Sequence, residues 1–331
     1  MKKIFILIVN TIFMLLFFCT GATIAQTSGY KVKGSIDIGG ESRWDYCIVD
    51  TINHRLFVSH SNKVHVVDLT ENKVTGEITG LNGVHGIAFA YDLNKGYISN
   101  GRIDSVTVFD LKTLKVIGNI HVTGKNPDAI IYDPVSKRVF TFNGRSSNAT
   151  AIDVQSDTVA GTVQLDGKPE FSAPDLNGNM YVNIEDKNLI EKFDSKQLKV
   201  LNKWSIAPCE EPSGLAIDLK NHRVFAVGGN KKMAVLDYNK GKLGAIVPIG
   251  GGTDGCAYDP ADGFIFSSNG EGNVTVIKQE SADIYKVIDT IPTAKGLRTL
   301  ALDPATHNIY LIGMLEGKGN KNSFGVLILS K

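Results

Sequence analysis

Seven residues at one recurring phase carry the side chains that could do chemistry: Asp45, His85, Asp128, Glu170, Ser213, Asp254 and Arg298. Four are carboxylates, whose hard oxygens suit a divalent cation such as Ca2+. Around a metal they could also activate water, as in a metal-assisted hydrolase or lactonase-like enzyme. His85 has the residue type of a general base at neutral pH, with Asp45 or Asp128 as its neighbour. Arg298 and Ser213 add donors for a small charged ligand. The competing reading is a hydrated polar rim whose side chains satisfy strand-end amides and pair with one another. No catalytic residue is assigned on sequence grounds.

Other chemistries find no support in the spacing. The chain has no His-x-His, no His-Glu-x-x-His and no Gly-x-Ser-x-Gly. Gly250-Gly251-Gly252 reads as a strand-to-strand turn, because no helix follows it to hold a phosphate. Cys47, Cys209 and Cys256 are widely spaced and odd in number, which is no disulfide framework; small buried apolar residues are expected. The 35 basic and 34 acidic residues balance, which argues against an electrostatic grip on nucleic acid.

The phase of the seven residues is set by a repeat. Phe57, Tyr97, Phe140, Tyr181, Phe225, Phe266 and Tyr310 follow one another at steps of 40, 43, 41, 44, 41 and 44 residues. The candidate residues stand twelve positions before these anchors, or eleven for Glu170. Asp50, Asp133, Asp218, Asp259 and Asp303 stand seven before theirs, and Asp68, Asp110, Asp153, Asp194 and Asp237 follow by eleven to thirteen. Within one unit, a short apolar strand reaches Asp259-Pro260-Ala261-Asp262-Gly263, where Pro presets φ, Gly accepts a positive φ and Asp bonds nearby amides. Phe264 to Ser267, Asn273 to Ile277 and Ile284 to Ile288 then supply three more strands. Four strands in each of seven units predict an all-β chain folded as a seven-bladed β-propeller with four-stranded antiparallel blades.

The ends fit that reading. The last unit supplies three strands, within Thr299–Leu302, Ile309–Ile312 and Gly325–Leu329. Tyr30 to Ile38 is a strand without a unit, and it resembles the fourth strands. It is expected to complete the last blade and close the ring, so that no edge stays unpaired. Before it, Met1-Lys2-Lys3, an apolar run from Ile4 to Phe18 and Thr23-Ile24-Ala25 have the three parts of a secretory signal, which places a signal peptide at residues 1–25 and the propeller at 26–331. Loss of Lys2 and Lys3 leaves 33 basic residues against 34 acidic. No second apolar run is long enough to span a bilayer.

Arg138-Val139-Phe140-Thr141, Val64-His65-Val66-Val67-Asp68-Leu69 and Asn273-Val274-Thr275-Val276-Ile277 resemble the repeats of the YVTN-repeat, YncE-like β-propellers. Tyr181-Val182-Asn183 keeps that motif best, and Leu315 to Ser323 is an insertion in the last unit. The resemblance implies a seven-bladed ring and an extracytoplasmic, periplasmic or secreted setting; it implies no shared reaction. The expected role is a monomeric, non-enzymatic binding or scaffold protein. Its charged channel mouth would take a small molecule, glycan or protein partner, with the metal-assisted hydrolase as the alternative. A quinone-dependent oxidoreductase is disfavoured: Trp44 and Trp204 are the only tryptophans, too few for a docking motif in most blades. Loops near the mouth are expected to add His60, Arg102, Arg145, Glu185, Asp186, Asn230, Asn269 and Glu271. Trp44 adjoins the mouth, but core packing against the seventh blade is the favoured reading.

Overall fold

Every inner strand of the chain touches the inner strand of the next unit, and that of the last touches that of the first, so the sheets close into a ring. The computed structural model describes residues 27–40, 43–316 and 322–331, so the expected signal segment lies outside the described residues. These form seven four-stranded antiparallel sheets. Blade one consists of Trp44–Asp50, Arg55–His60, Lys63–Asp68 and Lys73–Ile78, and the next five repeat that order. In blade seven, Leu300–Leu302, Ile309–Glu316 and Asn322–Ser330 are completed by Lys31–Asp37, which pairs antiparallel with the last strand from Lys31↔Ser330 to Asp37↔Gly325. The expected closure is what the chain forms. The insertion differs from a plain loop: the hairpin ladder continues to Glu316↔Asn322. No helix among the described residues is long and apolar enough to cross a membrane.

The core is divided as the repeat requires. Among the described residues there are seven apolar clusters, one between each pair of neighbouring blades. The aromatic anchors sit within them, Phe57, Tyr97, Phe140, Tyr181, Phe225 and Phe266 fully buried and Tyr310 nearly so. Each such ring contributes about 1.5–3 kcal/mol by leaving water. The first aspartate series is buried and accepts turn amides, as Asp218 does from Lys220 and Asn221. The second caps the turn between third and fourth strands, as Asp194 does for Lys196 and Gln197. Both series therefore hold turns. Trp44 stacks on Phe324 at 5.5 Å between ring centroids, which settles it as blade-seven packing. Cys47 and Cys209 are buried, Cys256 half-buried, and all three are free thiols.

Candidate functional site

The position twelve before each anchor coincides with a defect in the sheet. In blades one to six the inner strand breaks register with the second strand across Trp44/Cys47, Val84/Ile87, Pro127/Ile130, Pro169/Ser172, Pro212/Leu215 and Thr253/Gly255. Each break contains the candidate residue of its blade. A bulge re-aims the side chain it carries and frees backbone groups from the ladder. Buried residues of the second strands take up several of those groups. Ser59 Oγ accepts from the amides of Asp45 and Tyr46 at 3.1 and 2.9 Å. Ser99, Asn183 and Ser268 reach into the next blade, donating to the carbonyls of Asp128 at 2.5 Å, Ser213 at 2.8 Å and Arg298 at 2.5 Å.

The ring so placed surrounds one cavity of about 440 Å3, lined by Asp45, Asp128, Glu170, Ser213, Asp254 and Arg298 together with Tyr46, Lys168, Glu185 and Glu211. Three clusters make up its wall. His85 Nδ1 lies 2.5 Å from Asp45 Oδ2 and 3.5 Å from Asp128 Oδ1. Lys168 binds Glu170 at 2.7 Å and also Glu185. Arg298 Nε approaches Asp254 at 3.2 Å, and Ser213 donates to the same carboxylate.

The electrostatics follow from packing carboxylates together away from water. Burial, then the field of Asp45, raises the Asp128 carboxyl to about 7, although His85 pulls it down. Burial and Asp128 likewise raise Glu170 to about 8 against the pull of Lys168. Asp254 is raised by burial despite Arg298 and Ser213. Burial alone would depress His85, but its hydrogen bond to Asp45 and the surrounding carboxylates lift it to about 9. His85 is therefore held as an imidazolium at neutral pH, which does not suit a general base.

Below the ring the channel is stoppered. The rings of Tyr46 and Phe171 meet across it, 4.6 Å apart. Burial, then Asp128, Asp45, Glu170 and Asp254, push the Tyr46 phenol well above its ordinary range. A separate opening of about 550 Å3 is lined by residues of blades one to three, mainly apolar ones such as Ile48, Ile87, Phe89, Ile130 and Ile131, with Asp92 and Lys137 among them.

Six of the seven candidate residues line the cavity, and His85 joins it through Asp45 and Asp128. Among the described residues, Glu185 is the one loop neighbour of the expected eight that lines it. His60 instead packs on Phe324 and His65, Asn269 is buried against Asn273 and Thr275, and Glu271 pairs with Lys231 at the surface. Tyr46, Lys168 and Glu211 are lining residues that sequence reasoning passed over. Tyr46 and Phe171 did leave a signal: they stand one residue after the ring position, where other blades have Gly86, Ala129, Gly214, Gly255 and Thr299. Small residues there let inner strands approach. At Gly214 a Cβ would lie 2.7 Å from the Cys256 amide nitrogen. Large aromatics in two nearly opposite blades can only project into the channel.

The chain matches no family model and no curated protein. Among solved structures it is similar to Kuenenia stuttgartiensis hydrazine synthase, with a TM-score of 0.69 and 18% identity over 85% of this chain and 94% of that one. At that identity the likeness shows the fold alone.

Proposed function

We propose that this chain is an exported, YncE-like β-propeller binding protein whose channel mouth holds a small polar ligand bearing positive charge. One observation carries the reading: among the described residues, six acidic side chains, those of Asp45, Asp128, Glu170, Glu185, Glu211 and Asp254, line a single cavity in which the cations are Lys168 and Arg298, with His85 paired to Asp45 and Asp128. Burial and their mutual field raise the pKa of Asp128, Glu170 and Asp254, and an added cation would relieve that cost. The volume lies within the range of small-ligand sites, and the Tyr46 ring in its lining offers an aromatic contact to an organic ammonium. The role proposed is binding, with the metal-assisted hydrolase as the alternative. Glycan or protein ligands would meet the same mouth.

Calorimetry of EDTA-treated protein with Ca2+, Mg2+, 1,4-diaminobutane, citrate and glucose tests the reading. Binding of one or more cations, weakened in Asp254→Asn, is expected. Citrate binding without cation binding would overturn it. Export rests on the tripartite segment before Gln26 and on the family resemblance. Intact mass of protein from its native host is expected to begin at or near Gln26; a mass that retains Met1 to Ala25 would refute it.

A further inference from the structure

Within this mouth we infer a binding site for one first-row divalent transition-metal ion, held by Asp45, His85 and Asp128. The inference rests on the cation-binding reading and names a ligand for one wall of the cavity.

The allocation of countercharge singles out these three residues. Glu170 and Glu185 share the Lys168 ammonium, and Asp254 has both Arg298 and Ser213. Among the described residues, the partner that the Asp45 and Asp128 carboxylates have at ion-pair distance is His85, an imidazole, which is a metal ligand once its proton leaves; Lys168 acts on Asp128 only from farther off. One donor atom from each residue lies within 4.8 Å of the other two. Bonds of about 2.0–2.2 Å to a metal set neighbouring donors roughly 3.0–3.5 Å apart. The His85–Asp128 pair already stands at 3.5 Å, and the His85–Asp45 pair, at 2.5 Å, has to open by about 0.5–1 Å.

The donor set selects the ion. Imidazole nitrogen suits zinc, copper, iron and nickel, and carboxylate oxygen extends the range to manganese. Ca2+ prefers roughly six to eight oxygens and gains little from imidazole. Three protein ligands leave coordination positions open toward the cavity, where water or a ligand group can enter. This is the arrangement that the hydrolase alternative would need.

The ligands are also held in place before any ion arrives. They come from blades one, two and three, each on its own bulge. Ser59 fixes the Asp45 amide and Ser99 the Asp128 carbonyl. The far edge of the His85 ring lies against Gly101, where a Cβ would come 2.5 Å from Nε2, so Nδ1 is the nitrogen turned to the carboxylates. A second trio, Asp259, Asp262 and His307, meets the same spacing. There the Lys331 ammonium already binds Asp262, and Asp259 accepts from both His307 and the Ala261 amide, at 2.7 and 3.0 Å. One carboxylate of that trio is thus already paired with a lysine.

The test is titration of the EDTA-treated chain with Zn2+ and Mn2+ by calorimetry, and with Co2+ by visible absorption. One ion per chain is expected, with a Co2+ band that reports nitrogen coordination. His85→Gln and Asp128→Asn should each weaken Zn2+ at least about tenfold, while His307→Gln binds like wild type. Gly101→Ala, which crowds the ring without removing a donor, should weaken Zn2+ as well. Melting of each variant in EDTA establishes that it is folded. Absent or substoichiometric binding to wild type overturns the inference, as does a folded His85→Gln that keeps full Zn2+ affinity. A parallel titration with 1,4-diaminobutane separates the two readings. If the diamine binds and Zn2+ does not, the metal site alone falls; if neither binds, the cationic mouth falls with it.

Discussion

The ring of Tyr46 lies 4.6 Å from that of Phe171, a contact between blades one and four made across the channel rather than between neighbouring blades. Among the described residues, the apolar clusters otherwise lie between neighbouring blades. Tyr46 lines the charged cavity, and through Phe171 it braces the ring across its diameter. Truncating either ring should cost about 1–3 kcal/mol, less than a fully buried aromatic because each is half-buried. A double-mutant cycle on Tyr46→Ala and Phe171→Ala should return a coupling of about 0.5–1.5 kcal/mol in chemical denaturation. Strict additivity would mean that the two rings do not support each other.

The mouth also makes stability depend on pH. A carboxyl whose pKa rises on folding binds more protons folded than unfolded, so stability falls as pH climbs between its two values. For Asp128 that window runs from 3.8 to about 7, and for Glu170 from 4.5 to about 8. His85 adds stability that is complete below 6.5 and is lost as pH rises through about 9. All three act in one direction, so the melting temperature of protein kept in EDTA should decline steadily from pH 5 to pH 9. Asp128→Asn should flatten the profile. A melting temperature that is level or climbs over this interval would contradict the charges assigned to the ring.

The bulges depend on the residues that satisfy them. Ser99 Oγ accepts from the Gly86 amide at 2.8 Å and donates to the Asp128 carbonyl of the next blade. Ser99→Ala leaves both groups buried without that partner, a loss of about 1–3 kcal/mol. It should also loosen Asp128 and weaken cation binding, though Ser99 touches no ligand. Ser99→Thr, which restores a hydroxyl, should recover part of both. If Ser99→Ala lowers stability but leaves cation affinity as it was, the serine supports the blade and not the mouth.

What the sequence disclosed and what it hid divide along the same physical line. A repeat phase is a backbone property, so counting back from Phe57 or Tyr310 located the ring residues without knowledge of any contact. The same count could not say that Glu170 is matched by Lys168 two residues away, because that pairing depends on how a bulge turns two side chains to one side. It failed for His60 and Asn269 for a related reason. Both stand at the ends of second strands, where the choice between facing the mouth and facing the next blade is made by packing, and each is drawn inward by a partner, Phe324 or Thr275. Tyr46 was readable in principle from the small residues in its phase. Its role emerges only when Phe171 is seen in the same phase on a nearly opposite blade.

Ring closure gives the last prediction. Tyr30 is buried between blades six and seven, edge-on to Phe266 at 5.0 Å, and its hydroxyl donates to the His307 carbonyl at 2.7 Å. Just before it, Ser28 donates to Asp289 of blade six at 2.6 Å. The segment from 28 to 37 therefore clasps blade six while it completes the sheet of blade seven. Deleting residues 27–38 would uncover the whole edge of Asn322–Ser330, a row of unpaired amides and carbonyls that can template association. The deleted protein should melt well below the parent and aggregate on heating. Tyr30→Ala keeps the strand but loses the clasp, and should fall between the two, at a cost of about 2–4 kcal/mol. Scanning calorimetry with light scattering separates the contributions. If the deletion melts like the parent, the N-terminal strand does not close the ring. If Tyr30→Ala is as damaging as the deletion, the closure resides in the clasp on blade six rather than in the ladder on blade seven.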